Sequence, residues 1–166
     1  MRPERDGDEV AIRHLNDAAF GGTEESRLIS AVRRSGQSAV SLVATAENEI
    51  VGHILFTPVT IDVPGPPIAA LGLGPMAVLP AWQRGGIGSK LVAAGIEECR
   101  RLGCGVLVVL GHPEYYPRFG FHRADTLGLR CEFAVPAEVF MAMELVHGAL
   151  AGRSGTARYL PEFGEP

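Results

Sequence analysis

This chain of 166 residues lacks paired cysteines, an excess of basic charge and any long apolar run. Cys99, Cys104 and Cys131 are odd in number and contain no Cys-x-x-Cys pair, so neither a disulfide framework nor a cysteine zinc site is expected. They read as separate buried or half-buried thiols. Lysine and arginine number 15 against 19 aspartates and glutamates, a formal net charge of −4. A general nucleic-acid binder needs a basic face to neutralise phosphates, which excludes that class here. No stretch approaches the roughly 20 apolar residues that span a bilayer, and Met1-Arg2-Pro3-Glu4-Arg5-Asp6 carries no apolar signal region. A cytoplasmic protein without membrane or nucleic-acid partners is the expectation. The densest proline segment, Val63-Pro64-Gly65-Pro66-Pro67, is short and lies between strand-like runs, so it reads as a loop, and a single domain over 1–166 follows.

What is present is glycine, 21 residues without a collagen-like period, and a readable order of elements. Val10-Ala11-Ile12-Arg13 reads as a short strand and residues 16–20 as a helical segment. A second helix is expected over 24–34, with Leu28, Ile29 and Val32 on one face, Gly36 closing it and Thr23, with Ser26 nearby, available as a cap. Two apolar runs, 41–45 and 50–56, flank the turn Glu47-Asn48-Glu49, a hairpin signal. Residues 68–78 form a further strand, and Gly72, Gly74 and Pro75 inside it suggest a bulge or an unpaired edge. From 86 to 102 the pattern is helical, with Leu91, Val92, Gly95, Ile96, Cys99 and Leu102 on one arc and Gly103 as the stop. Residues 105–110 then read as a buried strand parallel to the one before the helix, since a whole helix separates the two. A short helix near 115–119 and strands around 128–133 and 139–146 complete an α/β fold. It is a mixed sheet with helices packed on it.

Gln83-Arg84-Gly85-Gly86-Ile87-Gly88-Ser89 is the stretch that carries chemistry. It sits between a strand and the opening of a striped helix and gathers backbone N–H groups where an anion, above all a phosphate, can sit. A P-loop would need Gly-Lys-Ser/Thr, whereas Gly88-Ser89-Lys90 has the order reversed. A dinucleotide fingerprint can be drawn at Gly72-Leu73-Gly74-Pro75-Met76-Ala77, but apolar Val78-Leu79-Pro80 follows where a helix is required. The remaining pattern, Gln/Arg-x-x-Gly-x-Gly/Ala, is matched by Gln83, Gly86 and Gly88. With Pro75-Met76-Ala77-Val78-Leu79-Pro80 before it and Tyr116-Pro117-Arg118-Phe119-Gly120-Phe121 after the next strand, the chain resembles the GNAT superfamily of N-acetyltransferases over about residues 74–121.

That resemblance implies a GNAT-type fold, a central mostly antiparallel sheet in which the strands before and after the long helix form a parallel pair. It also implies acetyl-coenzyme A as co-substrate, with no metal. The backbone of Arg84, Gly85, Gly86, Ile87, Gly88 and Ser89 would cradle the pyrophosphate, Gln83 belonging to the same motif, while Met76, Ala77 and Val78 would offer main-chain partners to the pantetheine arm. Tyr116 would be the general acid for the leaving thiolate, with Tyr115 adjacent and its side chain about 100° away if the segment is helical. The general base is open among Glu24, Glu25, His53, His112, Glu114 and a water chain, because residues 71–78 hold no carboxylate. No cysteine is placed as an acyl-enzyme nucleophile, which favours direct transfer in a ternary complex. The acceptor is a small-molecule or peptide amine, with the Thr23-Glu24-Glu25 segment and the 61–67 loop expected to line its side. The competing readings are a non-catalytic acyl-coenzyme A sensing module and an acyltransferase using a longer acyl group. Exposed closing strands make a homodimer conceivable.

Overall fold

The structure is a computed structural model in which residues 1–164 are described. Two units, each assembled from separate stretches of chain, make up these residues. The first joins Met1–Thr57 to Gly74–Glu98. It opens with β1 (Arg2–Pro3), α1 (Glu9–Phe20) and α2 (Glu24–Arg34). The strand expected at Val10-Ala11-Ile12-Arg13 is instead part of α1. Ile12, Leu15 and Asn16 are the buried positions of that helix and Val10 is 63% exposed, a spacing of three and four that a strand cannot produce. Helix α2 has the expected bounds, but Thr23 makes no side-chain cap bond; the hydroxyl of Ser26 donates to Asp17 at 2.5 Å.

The hairpin follows as β2 (Val40–Ala46) and β3 (Glu49–Asp62), antiparallel with Val43 opposite His53. Glu47 and Asn48 have φ of 51° and 64°, the left-handed pair that lets a two-residue turn follow the strand twist. β1 adds to β2, with Arg2 opposite Val43. Residues 51–56 are buried on both faces, which is why they read as an unbroken apolar run rather than an alternation. Gly52 and Phe56 face α3 (Ile87–Arg101), where a β-carbon on Gly95 would stand 2.3 Å from the Phe56 ring and one on Gly52 would stand 2.9 Å from Leu91. Two glycines thus set how closely helix and strand approach. Leu91, Val92, Ile96 and Cys99 of the expected arc are buried, whereas Leu102 is 61% exposed because the helix has already ended at Arg101.

The second unit comprises Pro58–Leu73 and the chain from Cys99 onward. β4 (Ala70–Val78) starts in it, parallel to β5 (Val106–Leu110), with Ala70 opposite Val106 and Leu73 opposite Val109. β6 (His122–Arg123), β7 (Leu129–Cys131), β8 (Phe140–Glu144) and β9 (Gly155–Arg158) follow. β8 lies antiparallel to β5 and carries β6 on its other edge. β9, absent from the sequence-based expectation, pairs with β7 and with Thr60, Ile61 and Asp62 at the end of β3. Val59, Val106, Val108, Phe140 and Ala157 are among the residues of this unit's core. The guanidinium of Arg153 donates to Pro64 O at 3.1 and 3.2 Å and to Pro66 O, stapling the proline-rich loop. The fold class is therefore the expected α/β one, a mixed sheet with a parallel β4–β5 pair among antiparallel neighbours. Among the described residues no helix is long and apolar enough to cross a membrane.

Candidate functional site

At the end of β4 the chain turns sharply before α3. The N–H of Leu79 donates to Val51 O at 2.8 Å, a one-turn 3₁₀ helix spans Pro80–Trp82, and the N–H of Trp82 returns to Leu79 O at 2.8 Å. The side-chain amide of Gln83 donates to Val78 O at 2.9 Å. Gln83 thereby ties the loop to the strand through its own side chain. Arg84 and Gly86 have φ of +65° and +87°, and Lys90 makes a helical bond back to Gly86 O at 3.1 Å.

Left-handed residues in a turn can aim neighbouring N–H groups to one side, and the start of α3 at Ile87 adds amides that the helix itself cannot use. The side chains of Gln83 and Arg84 and the backbone of Gly85 and Gly86 are exposed, and no atom lies within 4 Å of where a β-carbon on Gly86 would stand. Main-chain N–H groups in an exposed loop that runs into a helix start suit an anion such as a pyrophosphate. Met76 and Val78 are half-buried and Ala77 is buried, so the strand reaches the loop with its backbone accessible only in part. The first unit thus brings together Met76, Ala77, Val78 and residues 83–89 of the expected site.

Tyr116 belongs to the second unit, in a 3₁₀ turn over Tyr116–Phe119. It is 7% exposed and packs edge-on to Tyr115, with centroids 5.1 Å apart at 84°, and to Phe121 at 5.8 Å and 79°. Burial, with a smaller push from Tyr115, raises its hydroxyl to about 12. The phenol therefore stays protonated throughout the physiological range. Tyr115 is half-buried and carries the Arg118 guanidinium over its ring at 4.5 Å. Sequence reasoning missed Gly111. A β-carbon there would lie 2.3 Å from Cε2 of Tyr116, so the missing side chain is what lets the ring sit where it does. A glycine directly after a buried strand, five residues before the tyrosine, was the available signal.

The candidate bases divide by environment. His53 is fully buried; its Nε2 is 2.9 Å from Ser41 Oγ, and that hydroxyl donates to Glu4, which also accepts from Arg33. Because the serine proton is committed to the carboxylate, His53 must donate from Nε2 and keep Nδ1 bare. Burial holds its pKa down at about 4, so it is a neutral structural residue rather than a base awaiting substrate. His112 and Glu114 are exposed and line a cavity of about 500 Å³ with Tyr115 and Arg118. Glu24 and Glu25 occupy the first turn of α2, where carboxylates favour the helix dipole.

Residues 1–124 match the family model described as acetyltransferase (GNAT) domain. The N-acetyltransferase YjhQ of Escherichia coli K12 is 39% identical over 132 residues, covering 76% of this chain and 72% of the relative. The crystal structure of YhbS, a GNAT family N-acetyltransferase of Escherichia coli in complex with coenzyme A, superposes with a TM-score of 0.92 at 31% identity, covering 99% of this chain and 91% of that one. A GNAT family acetyltransferase from Brucella melitensis in complex with acetyl-coenzyme A superposes with a TM-score of 0.81 at 32% identity, covering 98% and 96%.

Proposed function

Because this chain belongs to the GNAT acetyltransferases, we propose that it transfers the acetyl group of acetyl-coenzyme A directly to a primary amine, with the 83–89 loop as the pyrophosphate cradle. The observation that carries this reading is the pair of left-handed residues, Arg84 and Gly86, in an exposed loop that runs into the start of α3. The two similar structures that contain coenzyme A or its acetyl ester support the choice of donor. In this reading the backbone between Arg84 and Ser89 receives the pyrophosphate, with Gly85, Gly86, Ile87 and Gly88 keeping the approach clear. Met76, Ala77 and Val78 offer main-chain groups to the pantetheine arm.

The reaction forms a bond from the amine nitrogen to the acetyl carbon and breaks the carbon–sulfur bond, while the nitrogen sheds a proton and the sulfur gains one. Tyr116 is the donor on the sulfur side. A phenol at about 12 facing a thiol of about 8.5 cannot give up its proton outright at less than about 5 kcal/mol. Tyr116 therefore works as a hydrogen-bond donor to the charge developing on sulfur, with transfer completed only as the amine proton is released to the medium. The test is a screen of primary amines with acetyl-coenzyme A, following thiol release. Amine-dependent release supports transfer; coenzyme A binding without release by any amine would make the chain a sensing module.

A further inference from the structure

The turn that follows β5 holds charged groups to which the scheme above gives no task. Its backbone is closed on itself: His112 O accepts the N–H of Tyr115 at 3.1 Å and that of Tyr116 at 3.4 Å, and Tyr115 O accepts the N–H of Arg118 at 3.4 Å. The same carbonyl takes the Nε–H of Arg118 at 3.0 Å while the guanidinium lies over the Tyr115 ring. That ring packs edge-on against Tyr116 and against Phe119, the latter with centroids 5.3 Å apart at 69°. Arg118 is therefore held in place although its side chain is exposed. Among the described residues Arg2, Arg33, Arg123 and Arg158 each pair with a carboxylate, whereas Arg118 pairs with none and its two Nη groups bond to no protein atom. Glu114, on the wall of the same cavity of about 500 Å³, is likewise without an ion pair among the described residues.

A guanidinium fork matches a carboxylate through two parallel hydrogen bonds, and its use is opposed mainly by the entropy lost in fixing a long side chain. At Arg118 the ring stack and the carbonyl bond have already met that cost, which leaves the four remaining N–H donors for a ligand. Arg118 and Glu114 border one cavity without neutralising each other, so a ligand carrying both signs a short way apart answers both. Tyr115 fixes where that cavity lies. Its ring is one wall, and the same ring touches Tyr116, the donor on the sulfur side.

We propose that this cavity selects an acceptor with a carboxylate close to its amine, an amino acid in chemical class, with Arg118 gripping the carboxylate and Glu114 drawing in the protonated nitrogen. This rests on the acetyl-transfer reading. The nitrogen attacks the thioester only once its proton has passed to the medium, which the exposed His112 and Glu114 border.

The experiment compares L-amino acids with their amides as acceptors for acetyl-coenzyme A, following thiol release by the full chain. The best amino acid is expected to exceed its amide at least about tenfold in kcat/KM, and Arg118→Gln should erase that preference by raising the KM for the acid about tenfold. Arg118→Lys, which keeps the charge without the fork, should recover part of it. Calorimetry with coenzyme A and with 3′-dephospho-coenzyme A separates an acceptor carboxylate from a donor phosphate, and neither affinity should change by more than about twofold in Arg118→Gln. An amide used as well as its acid, equal losses on both acceptors in Arg118→Gln, or a loss of coenzyme A affinity that the 3′-dephospho form does not share overturns the proposal. Thiol release with simple alkylamines and with no amino acid would refute this acceptor class and leave acetyl transfer standing. No release with any amine refutes acetyl transfer itself, and the acceptor class with it.

Discussion

The 83–89 loop and the Tyr116 corner are made by opposite means. The loop is exposed main chain, shaped by two left-handed residues and one side-chain tie from Gln83 to Val78. The corner is a set of packed rings around buried Tyr116, shaped by the side chain that Gly111 does not have. A backbone site needs only a local run of small residues, whereas a packed side chain needs neighbours that the fold delivers from elsewhere. The first should therefore fail through conformation at one position, and the second through loss of packing. The His53 network is a further case of the second kind, with polar groups in place of rings.

The sharpest break in this contrast is Gly86→Val. A branched side chain resists a φ of +87° and fills the open space above the loop, so coenzyme A affinity should fall about a thousandfold, or about 4 kcal/mol, in calorimetry. Gly86→Asn, which tolerates the left-handed region better, should lose only about tenfold. Equal losses in the two variants would show that side-chain bulk, not backbone conformation, governs the loop.

Acid should break the buried polar network next. His53 titrates near 6.5 when unfolded and at about 4 in the fold, so the unfolded chain takes up its proton first as pH falls. The stability of the neutral, buried form is whole above pH 6.5 and is lost between 6.5 and 4, amounting to about 3 kcal/mol. Urea denaturation across that window measures it, and His53→Gln should flatten the dependence. A wild-type midpoint that does not move from pH 7 to 4 would place the proton elsewhere.

Tyr116→Phe should lower kcat about a hundredfold while leaving coenzyme A affinity within twofold, because only the hydroxyl is removed from an intact packing arrangement. Unchanged turnover takes Tyr116 out of the chemistry. The smallest effect is expected from Gly111→Ala, which forces the ring aside. A stability loss of about 2 kcal/mol and a kcat drop of about tenfold should appear together, whereas a drop in one alone would uncouple packing from reactivity.

The same contrast explains what could be read in the sequence. The hairpin was legible because Glu47-Asn48 lies between two apolar runs, and α2 and α3 because their stripes are long enough to repeat. The parallel β4–β5 pair followed from the helix between them. The first turn of α1 was not, since buried Asn16 interrupts the apolar stripe and leaves Val10 and Ile12 looking like alternating strand residues. β9 was missed because it is four residues long and finds its partners at the end of β3 and in β7, far away in sequence. The loop announced itself through its own glycines. Gly111 and His53 did not disclose their roles, because the reasons lie in the Tyr116 ring and in Glu4 and Ser41.

Arg153 has a consequence for the thermodynamics of encounter. Three prolines already narrow the backbone of the turn at 63–67, and the guanidinium fork grips the carbonyls of Pro64 and Pro66 at once. A lysine ammonium, a point charge on a flexible stem, has no such fork. The turn is thus ordered before anything arrives, and a ligand that meets it loses little entropy in fixing it. An acceptor that docked at this turn would owe more to enthalpy and shape than to a disorder-to-order transition, with a correspondingly small change in heat capacity.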